Sequence, residues 1–557
     1  MIRKEIIKQY VSSLKEDGEL DYIFPILLLR MGYSLLSTPK QSKGQSQYGR
    51  DVIAIKDNHL YLFELKGFRS KDITDRTLNE KDGIIESLRA SKYTKYNDAS
   101  LPELNNMHRR YVLVHNGCVE SNALQTLNGF VEVEFPEGNF ERWDLFKLTD
   151  LFSEFLFDET LLTDGESYGL FKRILVLLDS EGNDFKDVET LVNLQISKLK
   201  VGQVKKNERS HLNFFATIRL IGMMVYAYSK DANNLHPAKE TIDIIVLKVW
   251  AWILKNKKEK SSKIIYHFNS LVLLQLKIYE EYLNKILPFA IENKGLCAFA
   301  PTDTEYIFYP LRCYNFLGDL VYFYEASEAY GGINEEKIRQ RIELLKTVIN
   351  SNSACAVPLL DIHSIPLQLV FRYVCLRGCT EDDASFLSEF LLSTAVNMVK
   401  RYKKTKMWPE MNGSRMALAQ SIYEKSEEYQ CDSSIFILIL FELIAYANLP
   451  TLYKVLKENV EESGVNLQVS YPMTKDFDIE QCLFEHRLYN EISVQTNIRL
   501  PDTLEEFRET FKKPYKSIDY RTKKVNYGFL LLLAHKFYET DLFPDYIDRM
   551  FCCDLEN

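Results

Sequence analysis

Gly49-Arg50-Asp51-Val52-Ile53-Ala54-Ile55-Lys56-Asp57-Asn58-His59-Leu60-Tyr61-Leu62-Phe63-Glu64-Leu65-Lys66-Gly67 reads as two apolar strands around a short polar turn. A turn at Asp57-Asn58 pairs the strands so that facing residue numbers sum to 115. A four-residue loop over 56–59 gives the same register, and a three- or five-residue loop does not. Asp51 then lies across from Glu64 on one face, with Cβ atoms about 5 Å apart. Two anions that close repel unless a cation stands between them. Lys66, two residues beyond Glu64, projects to the same face. A carboxylate pair with an ammonium at a strand end suits a hard divalent metal and a phosphate.

The chain around this hairpin is long enough for several domains: 557 residues, 46% hydrophobic and 26% charged. Its formal net charge of -9 excludes a general polyanion binder. The balance reverses locally, with fifteen Lys/Arg against ten Asp/Glu from Arg30 to Arg110, a net of +5. A basic surround for an acidic metal site suits a nucleic-acid substrate. The ten cysteines are scattered without paired CxxC units, which argues against structural zinc and for a reducing cytoplasm. No apolar signal core opens the sequence, and Ile435 to Phe441 and Phe529 to Ala534, among the longest apolar runs, are too short to span a bilayer. The expectation is a cytoplasmic protein without a membrane partner.

The first 160 residues mix helix and strand signals. Leu20 to Met31 reads as a helix closed at Gly32, with Pro25 tolerable near its first turn. Tyr33 to Ser37 reads as a strand and Thr38 to Tyr48 as a loop. After the hairpin, Ser70 to Glu80 reads as a polar connection and Gly83 to Tyr96 as an amphipathic helix. Arg110 to His115 reads as a buried strand, Phe130 to Phe135 as an alternating strand, and Phe146 to Leu156 as a closing helix. Beyond residue 160 helical periodicity dominates. Examples are Leu212 to Tyr228, Thr241 to Lys255, Ile264 to Leu287, Leu311 to Tyr324, Glu336 to Ile349, Asp383 to Lys400, Arg415 to Glu428, Ser433 to Leu456 and Val525 to Tyr538. No fixed repeat appears. The expected organisation is an α/β domain over 1–160, a first helical part over 161–295 and a second over 296–557.

Asp51, twelve residues, then Glu64-Leu65-Lys66 resembles the signature of the PD-(D/E)XK, or restriction-endonuclease-like, nuclease superfamily. The order of helix, strand, hairpin, helix and strands over residues 15 to 160 is similar to that fold, a mixed central sheet flanked by helices. Met31-Gly32-Tyr33 resembles the Gly-Tyr turn of its Mrr-like branch, which carries an acidic residue about eleven positions earlier. Asp21 holds that position, and Glu19 is the fallback. Gly-Arg-Asp replaces the Pro-Asp of the superfamily name, a departure common in that branch. The resemblance implies an Mg²⁺ or Mn²⁺ ion held by Asp51, Glu64 and the Leu65 carbonyl, Lys66 acting on the attacking water, and Asp21 holding or positioning metal. It implies phosphodiester hydrolysis, with DNA as the default substrate and a restriction or anti-phage defence effector as the setting. The helical region would then recognise, regulate or oligomerise, with a homo-oligomer or a separate sensor or ATPase subunit as possible partners. The alternative is a catalytically silent nucleic-acid-binding or assembly module.

Other patterns carry less. A bare Glu-x-Lys recurs at Glu335-Glu336-Lys337. Gly44 and Gly49 have phosphate-loop spacing without its Lys-Ser/Thr. His115 and Cys118 suggest a thiol–imidazole pair without an orienting group, and Glu485-His486 lacks further metal ligands. Lys198 to Arg209, Lys255 to Lys263 and Lys400 to Lys406 are basic clusters of the kind that track phosphates.

Overall fold

The quoted stretch folds in the register that sums to 115. With β1 at Ser34–Ser37, strands β2 (Val52–Lys56) and β3 (His59–Lys66) pair antiparallel, Val52 facing Phe63 and Lys56 facing His59. Asp57 and Asn58 turn the chain at φ of 49° and 60°. This left-handed pair is what a two-residue hairpin requires. β1 adds antiparallel to β2, while β4 (His108–His115) and β5 (Phe140–Trp143) add parallel beyond β3, giving one mixed sheet in the order β1-β2-β3-β4-β5. The structure, a computed structural model, describes residues 2–39, 49–67, 72–81, 83–94, 96, 101–157, 162, 164–178, 180, 184–199, 204–298, 305–332, 334–409, 433–472, 478–487, 492–511 and 520–540.

Both faces of the sheet are covered, which is why the middles of its central strands are apolar. Around α1 (Ile2–Ser13) and α2 (Asp21–Arg30), Phe63 meets Phe24 edge-on at 5.3 Å and Trp143 at 5.4 Å. On the other face, Ile53, Leu62 and Leu113 join Ile84, Leu88 and Leu127 in one core cluster. These come from α4 (Ile84–Tyr93) and α5 (Ser121–Glu134), behind the short α3 (Asp75–Asn79). α6 (Leu145–Phe155) closes the domain close to its expected bounds. α2 ends as its sequence demands: Gly32 adopts φ 83° and the Tyr33 N–H reaches the Leu28 carbonyl at 2.9 Å.

Two expectations are corrected. Phe130 to Phe135 is not a strand. It closes α5, because Ala123, Leu127 and Phe130 recur at helical spacing and are buried, whereas Val133 is 78% exposed. The edge strand is instead Phe140–Trp143. The connection between Ser70 and Glu80 also holds structure, since Thr74 caps α3 through a reciprocal bond with Thr77.

Gly49 fixes the entry to β2. It sits at φ 70°, and a Cβ there would lie 2.0 Å from the Ser87 carbonyl oxygen. The next residue, Arg50, is buried and donates to the Ser91 and Thr94 carbonyls at the end of α4. Gly49→Ala is therefore expected to destabilise the domain by about 2–4 kcal/mol, read as a lower midpoint in urea unfolding.

The chain forms two compact units, Met1–Ile245 and Val246–Asn557. Helices α7 (Gly165–Leu177), α8 (Lys186–Ser197), α9 (Val204–Asp231) and α10 (His236–Lys255) follow the sheet. Then come α11 (Ser262–Ala290), α12 (Glu305–Gly331), α13 (Glu335–Ser351), α14 (Ser364–Cys375) and α15 (Glu381–Thr405). The helix expected over Ser433 to Leu456 is two, α16 (Phe436–Tyr446) and α17 (Pro450–Ser463). Asn448 at φ 54° and Pro450 at a first helical position divide them. The helix expected over Arg415 to Glu428 lies outside the described residues. Among the described residues, no helix is long and apolar enough to cross a membrane.

Candidate metal centre

The site lies where β3 leaves the sheet. The Asp51 N–H donates to the carbonyl of Phe63 at 2.8 Å, although Phe63 is the register partner of Val52. Asp51 and Val52 thus share Phe63, so the ladder stops short of an Asp51–Glu64 pair; the two carboxylates are neighbours through the Glu64 charge that bears on Asp51. Its Oδ2 accepts from the Leu65 N–H at 2.7 Å. Glu64 is 3% exposed; its Oε1 takes the Lys66 ammonium at 2.6 Å, and its Oε2 has no hydrogen-bond partner. Leu65 lies between them with its side chain buried.

A third carboxylate reaches this strand end from before α2. Glu16 Oε2 accepts from the Gly67 N–H at 2.5 Å. The approach requires glycine at 67, since a Cβ there would stand 2.8 Å from the Glu16 Cβ. Sequence reasoning missed Glu16. Gly18, at φ 82°, breaks the helix path ahead of α2 and turns Glu16 toward the sheet. The available signal was the Glu16-Asp17-Gly18-Glu19 run, three acids around a helix breaker.

Asp21 and Glu19 sit differently. Asp21 starts α2, leaves Oδ1 buried without a partner, and bears electrostatically on Glu16. Glu19 turns back to its own segment, accepting from the Lys15 N–H at 2.7 Å and pairing with the Lys15 ammonium at 3.7 Å. Glu16, rather than Asp21 or Glu19, makes the direct contact with the end of β3.

Three carboxylates thus face one ammonium, and the protonation equilibria show the imbalance. Burial first, then the Glu64 charge, pushes the Asp51 carboxyl up to about 7. Burial likewise raises Glu16, against the Gly67 bond and Lys66, and burial raises Asp21. Burial works against the Lys66 ammonium, but Glu64, Glu16 and Asp51 outweigh it and its pKa stands above the ordinary lysine value. An excess of buried negative charge, an all-oxygen donor set and an orphaned Glu64 oxygen fit a hard divalent cation.

The remaining candidates do not assemble. Cys118 is exposed and both His115 ring nitrogens lack partners, so no thiol–imidazole pair forms. Glu485 is taken by Lys255 and Gln481, and the His486 ring stacks on Tyr538 at 4.5 Å. Lys337 serves the Asn334 cap of α13 through its backbone N–H. Several basic groups are used internally: Arg89 and Lys92 hold Glu134, Lys198 pairs with Asp164, and Lys404 and Lys406 lie over tyrosine rings. The side chains of 201–209 lie outside the described residues.

A second acidic group, Glu343 with Asp382 and Asp383, gathers in the second unit. Its cation is already present: Lys346 Nζ lies 2.9, 2.7 and 2.6 Å from the three carboxylates. Asp383 is fully buried, and Lys346 and Arg339 hold its carboxyl well below the usual range despite that burial. Removing the ammonium strands this charge. Lys346→Met is expected to cost about 3–5 kcal/mol, seen as a lower Tm at pH 7. The loss shrinks in acid, because a carboxyl with a depressed pKa contributes stability only while it is ionised.

No family model, curated protein or solved structure matches this chain. The functional reading rests on the geometry above.

Proposed function

We propose that this protein is a metal-dependent nuclease whose N-terminal α/β domain is of the restriction-endonuclease-like type and hydrolyses phosphodiester bonds, with DNA as the substrate class. The observation that carries the reading is the strand-end constellation: Asp51 anchored on the Leu65 N–H within reach of the Glu64 charge, Glu64 with one free buried oxygen, and Lys66 bonded to the other. The sheet is consistent with it, since β3 joins the antiparallel β2 to the parallel β4 and carries these groups at its carboxyl end.

In this reading Asp51 and Glu64, with the Leu65 carbonyl, hold a single Mg²⁺ or Mn²⁺ ion. Glu16 stands where it would orient a ligand or hold a further one, and Asp21 backs it. The bound ion supplies Lewis-acid polarisation of the phosphoryl oxygen and acidifies water. The chain's own contribution is positional. Asp51 is fixed by the Leu65 N–H and Glu16 by the Gly67 N–H. Lys66 would keep its positive charge beside the metal-binding carboxylates. It orients the attacking water and offsets the negative charge that develops on phosphorus. The helices after the sheet would recognise substrate, restrain cleavage or join copies and partners, as a defence effector requires.

The direct test is a substrate panel of supercoiled plasmid, linear duplex, single-stranded DNA and RNA, each with Mg²⁺, Mn²⁺ or EDTA. Cleavage that needs the metal and stops with EDTA is expected. Absence of cleavage on every substrate, together with no heat of Mn²⁺ binding by calorimetry, would overturn the reading in favour of a silent binding module.

A further inference from the structure

β4 ends at His115, the register partner of Lys66 in the parallel ladder. Paired residues of such a ladder project to the same face, on strands about 4.8 Å apart. His115 thus stands beside the Lys66 stem on the face that carries Glu64. The ring is 1% exposed, and neither Nδ1 nor Nε2 has a hydrogen-bond partner. Arg142, Asp144, Asp72 and the Gly117 backbone bear on it. Arg142 and Asp144 pair with each other at 3.6 Å, and Asp72 takes the Cys118 N–H at 2.9 Å. Burial and Arg142 lower the imidazole pKa to about 4 against Asp144 and the Gly117 backbone, so at neutral pH the ring is uncharged and keeps an acceptor nitrogen that no donor meets. Leaving such groups unmet in the interior costs about 1–3 kcal/mol. An apolar side chain would avoid that cost.

Lys66 is the neighbour whose bonding must change. Its ammonium now uses Glu64 Oε1. Once Glu64 gives its oxygens to a divalent cation, like charges repel and Lys66 has to release that oxygen. We propose that His115 is the positioning residue that receives Lys66 in the metal-loaded site, its free ring nitrogen accepting from Nζ and holding the amine toward the attacking water. The inference rests on the nuclease reading and adds to it a residue outside the signature motif.

The test compares the parent with His115→Leu, His115→Gln and Lys66→Met. Without metal, His115→Leu is expected to melt at or above the parental Tm, because it removes a buried ring acceptor that no donor meets. With metal its kcat is expected to fall about tenfold or more, with Mn²⁺ affinity unchanged. His115→Gln, which keeps an acceptor, restores most of the rate. In ¹⁵N-histidine spectra, Mg²⁺ shifts the His115 ring resonances of the parent and leaves those of Lys66→Met in place. Parental cleavage by His115→Leu overturns the inference alone. So does a fall in Tm alongside the rate without rescue by glutamine, which marks a packing role, or a ring resonance indifferent to Mg²⁺. A parent that neither binds metal nor cuts overturns the nuclease reading, and this inference with it.

Discussion

Glu64→Gln is expected to lower metal-dependent cleavage by about 10²–10³-fold or more while leaving the fold in place. Glu64 is the most buried of the site carboxylates and the one that touches Lys66. The amide fills the same volume and can still meet Lys66 through its carbonyl oxygen. It carries no charge, so the site keeps Asp51 and Glu16 but loses the donor whose second oxygen is free. Metal affinity by calorimetry should fall together with the rate. The far-UV spectrum should stay parental, because the core clusters on both sheet faces lie apart from this oxygen. A Glu64→Gln protein that cuts at the parental rate would remove Glu64 from the chemistry and, with it, the reading of the strand end as a metal centre.

The second large effect concerns pH. Asp51 is pushed up from an ordinary 3.8 to about 7 by burial and by Glu64. Below pH 7 a proton occupies the carboxyl, and a metal must displace it. Affinity for Mg²⁺ or Mn²⁺ should therefore drop steeply, toward about tenfold per pH unit, as pH falls below 7. The linkage sign for stability follows from the same shift. A group whose folded pKa is raised contributes stability that is complete below the unfolded pKa and is lost as pH rises through the folded one. The metal-free protein should thus weaken between about pH 4 and 7. Asp51→Asn removes that slope. At pH 8 without metal it should melt several degrees above the parent, since ~1 kcal/mol moves a domain of this size by about 2–4 °C. The gap should close toward pH 4.5, and the variant should not cleave. Mg²⁺ should raise the parental Tm at pH 8 and leave it unchanged at pH 5. A parental Tm that rises with pH in EDTA would contradict the crowded-anion account.

Much of this site was legible because it is local. Asp51, Glu64, Leu65 and Lys66 lie on or beside a hairpin whose register follows from a two-residue turn and from apolar alternation, and the pairs from Val52–Phe63 to Lys56–His59 form as read, while the ladder slips at Asp51. Gly32 closes α2 for the same local reason. Phe130 to Phe135 misled because six residues of alternation are weaker than the helical period of Ser121–Glu134, which takes in the first five of them. The division of Ser433 to Leu456 depended on one left-handed asparagine before a proline.

The sequence alone determined the hairpin and its register from Val52 to Phe63, since backbone sterics at Asp57-Asn58 and a side-chain period of two leave one pairing that buries both apolar faces. Tertiary structure decided which further groups join them. Glu16 reaches Gly67 across fifty-one positions, His115 meets Lys66 through a parallel ladder, and Lys346 fills an acidic cluster whose other members lie up to 37 positions away. No local period encodes such meetings. They are fixed by which surfaces pack together, and the unscreened charge left in those buried places then sets each group's protonation.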